Sequence, residues 1–316
     1  MSNNKLDQTP IAATIAEGRM QAPEGNDTAA STTDESNTRV QPRDGSTLHY
    51  ATLRMETDAR DRLLRTLNLT NTVSASLLGV QEAQVAQTKL QWWNDEIGRL
   101  AHNEPRHPAT KHCALWFANH QSAQTQLTNI LDAATAARFD APSDDAGWLE
   151  LVQRDYGARL ELIHCALGKT SRIDMNSMAL SAAWIDILRT LPSRIHHDQI
   201  AFTPSLYQRF DLSRQVLQKH VRVAGRGTSN DKDTDQSALN ELIQSAIADA
   251  LAATDAALSS DSYKTLRKDT NTRALCVWFQ LRRVQLALWQ SEKPNLMRET
   301  MTLTPLRKWF IAFRHR

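Results

Sequence analysis

The chain has 316 residues, 41% of them hydrophobic and 23% charged, with a formal net charge of +2. That length gives ample material for a core in one or two domains, and the near-balanced charge shows no large basic face of the kind nucleic acid requires. No run of about 18 apolar residues suggests a transmembrane helix, no basic-then-apolar leader suggests a signal peptide, and three scattered cysteines (Cys113, Cys165, Cys276) fit a reducing, cytoplasmic compartment.

Residues 1–46 are rich in Ser, Thr, Asn, Asp, Gln and Gly and have no hydrophobic period. They cannot bury enough apolar surface to offset the entropy of ordering, which predicts a disordered tail, with order starting near His49–Tyr50. From there the pattern is helical. A helix over 58–78 opens on Asp58 and Asp61 and stops near Gly79. Over 82–102, Ala86, Leu90, Trp93, Ile97 and Leu100 form one apolar stripe, with Trp92 beside it. Pro108 opens the next helix, 122–137 forms a short one, and PSDD at 142–145 caps a long helix that Gly168 ends. A helix over 173–194 carries Met175, Met178, Ala182, Ile185 and Leu188 on one face, which reads as core. Residues 196–210 read as a loop with a short helix. The stretch 223–237 reads as a flexible insertion, followed by helices at 238–258 and about 263–290. A basic amphipathic helix at 304–316 starts at Pro305. The sum is an all-α domain spanning 47–316, with no solenoid repeat.

Several residues stand out. Trp92 and Trp93 cannot share one helical face, so the pair serves either inter-helix packing or the wall of a cavity. Asn68 and Asn71 are poor helix formers in mid-helix, which points to buried hydrogen bonding or ligand contact. Asp186 and Arg189, three apart, form either an ion pair or an anion site. His196-His197-Asp198 has no third ligand near in sequence and reads as an exposed loop rather than a metal site. Trp309, Phe310 and Phe313 on the basic terminal helix could meet anionic lipid or simply dock on the domain. GxSxG, GxxxxGK[ST] and GxGxxG are absent.

Five segments, in order, resemble the squalene/phytoene synthase family. RDRLLRTLNLTN (60–71) resembles its first long helix, and KLQWWNDEIGRLAHNEPRHPATKHCALW (89–116) its aromatic-pair segment. YGARLELIHCALG (156–168) is similar to its Tyr-initiated helix, which makes Tyr156 a candidate cavity residue. IDILRTLPSRIHHDQIAFTPSLYQRFDL (185–212) resembles its second signature region, and TPLRKWFIAFR (304–314) its closing helix. The resemblance implies an isoprenoid-synthase-like helical bundle with a central cavity. In active members, carboxylates at i, i+4 on facing helices hold Mg²⁺ on prenyl diphosphates.

This chain departs from that pattern. TNTVSAS (70–76) occupies the first aspartate motif, and Glu82 is the only acidic residue between Asp61 and Asp95. In the second motif Asp186 and Arg189 remain, but Thr190 and Arg194 stand where carboxylates belong. The resemblance therefore implies a diverged branch like the family's mitochondrial complex I assembly factor. The expected function is non-catalytic, needing no cofactor, and consists of binding a lipid or isoprenoid or serving a protein partner. The alternatives are an active prenyltransferase with an atypical Mg²⁺ site, or a peripheral membrane protein acting through 304–316.

Overall fold

In the computed structural model, residues 42–315 are described except 79, 81, 119, 170–172, 198, 225–232 and 298–300, together with the side chains of 220–224 and 233–236. Helices account for the regular structure, and no strand occurs among the described residues. They run α1 (Thr47–Thr52), α2 (Thr57–Ser74), α3 (Ala83–Ala101), α4 (Pro108–Phe117), α5 (Gln121–Phe139) and α6 (Asp145–Val152). A π-helical turn (Gln153–Gly157) then leads into α7 (Ala158–Ala166). After it come α8 (Asn176–Arg189), α9 (Leu191–His196), α10 (Pro204–Arg209), α11 (Arg214–Ala224), α12 (Asp233–Ser259), α13 (Asp261–Lys268), α14 (Arg273–Glu292) and α15 (Pro305–Arg314).

The cap expected in the PSDD turn is built. Asp144 accepts from the Gly147 amide at the start of α6, and Thr203 and Thr304 cap the proline-initiated α10 and α15. Gly168 ends α7 with φ +77°. Its amide donates to the Cys165 carbonyl while Lys169 donates to His164, the paired bonds of a Schellman motif. A Gly168→Ala variant places a Cβ in the left-handed region and is expected to lose about 1–2 kcal/mol in denaturant titration.

The apolar faces bury into two clusters. One joins α2, α3, α4, α5 and α7 through Leu69, Trp93, Leu100, Phe117, Leu127 and Leu162. The larger is organised by α8, whose residues 181–188 are all buried. A helix hydrophobic on every side belongs inside a protein, and α8 is packed on by α12, the π-turn, α6 and α14. Met175 and Met178 lie in this core.

Two expected helices need correction, and three other expectations fall wholly or partly outside the described residues. The helix expected over 173–194 breaks at Thr190, because Pro192 has no amide proton to continue the ladder, and α9 begins at Leu191. The helix expected over 263–290 is two helices, with Asp269 between them accepting from the amides of Asn271 and Thr272. The insertion expected at 223–237 is flanked more tightly by helix: α11 reaches Ala224 and α12 begins at Asp233, while 225–232 lie outside the described residues. Of the tail expected over 1–46, residues 1–41 lie outside the described residues, and Ser46 caps α1 by accepting from the His49 amide. The expected helix stop at Gly79 is also outside them; α2 ends at Ser74.

Candidate functional site

The π-turn inserts one residue into an otherwise continuous helix from Asp145 to Ala166, at a place where such turns recur near functional sites. It presents Asp155 and Tyr156, and one turn later α7 presents Arg159. The final turn of α2 supplies Asn71 and Ser74. The C-terminal half of α8 supplies Asp186, and the break before α9 turns Arg194 back toward it.

Arginine organises this chain of groups. Arg159 grips Asp155 with two nearly parallel bonds, Nε to Oδ1 at 2.7 Å and Nη2 to Oδ2 at 2.8 Å. It also donates to the Asn71 side-chain oxygen at 3.2 Å and to the Ser74 hydroxyl at 2.5 Å. Its guanidinium lies 4.9 Å from the centroid of the Tyr156 ring. The Tyr156 hydroxyl donates to Asp186 Oδ2 at 2.6 Å. Arg194 donates to the same oxygen at 2.8 Å, to the Tyr156 hydroxyl at 2.9 Å, to the Thr190 hydroxyl at 2.9 Å and to the Ile200 carbonyl at 3.3 Å. Asp186 Oδ1 is buried with no hydrogen-bond partner.

The electrostatics follow from burial and pairing. Burial pushes the Tyr156 hydroxyl up, and the neighbouring Asp186 carboxylate pushes it further, so the phenol stays protonated and acts as a donor. Burial works against the charge on Arg159, but the Asp155 carboxylate outweighs it and the guanidinium is held more firmly protonated than usual. Arg194 is held likewise, burial being outweighed by the Asp186 carboxylate it pairs with. The quartet of two carboxylates and two guanidiniums is thus neutral.

Of these groups, Ser74, Asp155, Tyr156 and Arg194 border a cavity of about 780 Å³. Leu78, Ala133, Ala137, Val152 and Ile187 give it an apolar wall, while Asp155, Tyr156, Arg194, Arg138, His196 and His197 give it a polar one. Arg138 and the histidines stand outside the neutral quartet, so the surplus charge the wall can carry is positive. Burial, and then His196, lower the pKa of His197.

Mg²⁺ takes carboxylate and other oxygen ligands in strict octahedral geometry. Here Arg159 occupies the carboxylate of Asp155 and also the side-chain oxygens of Asn71 and Ser74, while Tyr156 and Arg194 share one oxygen of Asp186. Among the described residues, no group of three or more His, Cys, Asp or Glu is placed to hold a metal ion. Apart from the buried Asp186 Oδ1, these oxygens are already bonded to Arg159, Arg194 or Tyr156, and one spare carboxylate oxygen beside two guanidiniums does not fit that metal.

The structure brings together Asn71, Tyr156 and Asp186 of the residues expected from sequence. Asn68 is half-buried, outside the cavity lining. The Asp186 carboxylate takes bonds from the Tyr156 hydroxyl and from Arg194, eight residues on. Trp92 and Trp93 do not line the cavity. Trp93 is core, Trp92 is 40% exposed, and the two rings meet edge to face at 5.2 Å with His107 against both. His196 is the last residue of α9, and both it and His197 are exposed; Asp198 lies outside the described residues. The residues missed from sequence are Asp155 and Arg159. Their i, i+4 spacing was a visible signal, but it reads equally well as a surface pair.

The chain is similar in structure to a dehydrosqualene synthase crystallised in complex with ligand, with a TM-score of 0.60 and 13% sequence identity, covering 85% of this chain and 90% of that chain. The fold is that of an isoprenoid synthase. No family model and no curated protein matches the chain. Within the isoprenoid-synthase fold, Thr190 and Arg194, where the sequence resemblance implied carboxylates, bond to each other and to Asp186. Among the described residues, no helix is long and apolar enough to cross a membrane.

Proposed function

We propose that this chain binds an anionic amphiphile, an isoprenoid or related lipid, in the cavity beside the π-turn, and does so without metal and without condensing it. The supporting observation is the capture of Asp155 and Asp186 by Arg159 and Arg194. An ionised prenyltransferase site needs spare carboxylate charge to draw Mg²⁺ onto a diphosphate. Here that charge is neutralised inside the protein, and Arg138 with the two histidines is left to meet an anionic head directly. The apolar wall suits a hydrocarbon tail. A cavity that binds without turnover also suits the assembly-type role implied by the resemblance, with ligand occupancy read by a protein partner.

The test is calorimetric titration with farnesyl diphosphate in EDTA and again in Mg²⁺, with pyrophosphate release followed in parallel. Binding is expected in EDTA, with no pyrophosphate release above a heat-denatured control in either buffer. Arg138→Ala, at an exposed position, is expected to weaken binding about tenfold through loss of a charge-assisted bond. Binding only with Mg²⁺, or Mg²⁺-dependent pyrophosphate release, would show a working prenyltransferase instead.

A further inference from the structure

The terminal helix α15 is mounted with its polar and apolar sides exchanged. Lys308 is 4% exposed, its ammonium donating to the Gly45 carbonyl at 3.0 Å, and Ile311 is buried beside it. Leu306, Trp309, Phe310 and Phe313, at i, i+3, i+4 and i+7, form one stripe. All four are exposed, Leu306 by 77% and Phe310 by 58%. A helix docked only for stability would turn this stripe inward.

Within its own segment the stripe is accompanied by charge of one sign. Arg307 and Arg314, both exposed, follow one edge, seven residues apart on the same line of the helix. Arg54, just beyond α1, places its guanidinium 5.7 Å from the Phe313 ring centroid, and Leu53 beside it is exposed as well. No Asp or Glu occurs between residues 300 and 316. Trp309 and Phe313 stack at 5.3 Å, forming a flat aromatic surface. Exposed aromatic and leucine side chains flanked by arginine are the composition of a helix lying in a lipid interface, its rings among the acyl chains and its cations at the headgroups.

We infer that α15 and the adjoining end of α1 form a docking face for an anionic phospholipid surface. The face is separate from the cavity, and its occupant is a bilayer.

The experiment is co-sedimentation of the full chain with vesicles of phosphatidylcholine alone or mixed 3:1 with phosphatidylglycerol. Pelleting is expected with the anionic vesicles, with little on phosphatidylcholine, and a decline in 0.5 M salt. Trp309→Ser/Phe310→Ser/Phe313→Ser should abolish it with the fold retained and only a small fall in melting temperature, since about half of each side chain removed faces solvent. Arg307→Glu/Arg314→Glu keeps every apolar contact and should weaken partitioning onto anionic vesicles by about tenfold or more. Equal pelleting of wild type and both variants would overturn the assignment. So would a wild-type dimer that the triple variant breaks, without vesicle binding by either form, which would make the face a contact between copies of the chain.

Discussion

Replacing Arg194 by Met is expected to lower the unfolding free energy by about 3–5 kcal/mol, because it leaves the Asp186 carboxylate buried without its cation. Asp186 is already short of partners, with Oδ1 bonded to nothing and Oδ2 shared between Tyr156 and Arg194. The loss would also free the Thr190 hydroxyl and the Ile200 carbonyl from Arg194, loosening the joint between α8 and α9. Removing both charges, as Asp186→Leu/Arg194→Met, should cost much less than the sum of the single changes, since no ion is then left unpaired. Denaturant titration of the four proteins measures the coupling. If the single losses simply add, the two groups do not depend on each other, and the account of a self-neutralised site fails with them.

The second large effect is expected at Glu96, which is buried on the stripe of α3. Its Oε1 accepts from the amides of Arg106 and His107, each at 2.8 Å, and from the Thr110 hydroxyl, while Arg99 pairs with Oε2 at 2.8 Å. One carboxylate thus secures the turn between α3 and α4 and the first turn of α4. Glu96→Leu would leave these donors unmatched in a buried place, a loss of about 3–4 kcal/mol at about 1–3 kcal/mol for a stranded group with partial relief from water. In a domain this large the melting temperature should fall by about 6–15 °C.

Glu96 also has a pH signature. Burial alone would raise its pKa, but the Thr110, His107, Arg99 and Arg106 donors outweigh burial and hold it below the ordinary carboxylate value. The group therefore adds stability that is fully present above the unfolded carboxylate pKa of about 4.3 and is lost as pH falls through the lower folded value. Glu96→Gln cannot titrate. The gap in stability between wild type and Glu96→Gln should be widest near neutrality and narrow on acidification; a gap independent of pH would show that the charge contributes nothing. Burial lowers the pKa of the neighbouring His107 against the pull of Glu96. A neutral ring leaves Nδ1 able to accept from the Ala109 amide and cap α4.

The same helix shows what the sequence made legible. Ala86, Trp93, Ile97 and Leu100 stand at helical spacing and are all buried, because periodic burial is a local property of a helix. Glu96 lies three residues after Trp93 on that face. A charged residue there reads as a flank, because its burial depends on donors ten to fourteen residues away. The cavity behaves likewise. The absence of carboxylates from 70–76 is plain in the sequence. The use Arg159 makes of Asn71 and Ser74 spans 88 and 85 residues and is set only by the packing of α2 on α7. The π-turn has no distinctive composition: QRDYG would continue an α-helix, and it is the docking of α8 that accommodates the extra residue.

The bond from Lys308 to Gly45 spans 263 positions, and α1 rests on α14 and α15, so the seat of α1 is completed by elements made much later. On a ribosome adding about 5–20 residues per second, that seat emerges roughly 13–50 s after α1 itself. During that interval Leu48 and Ala51 of the nascent chain lack the α14 and α15 surface that α1 packs on in the finished fold. That contact can form only after α15 has been made, and a chain truncated before α14 would present a less covered α1 to chaperones and proteases.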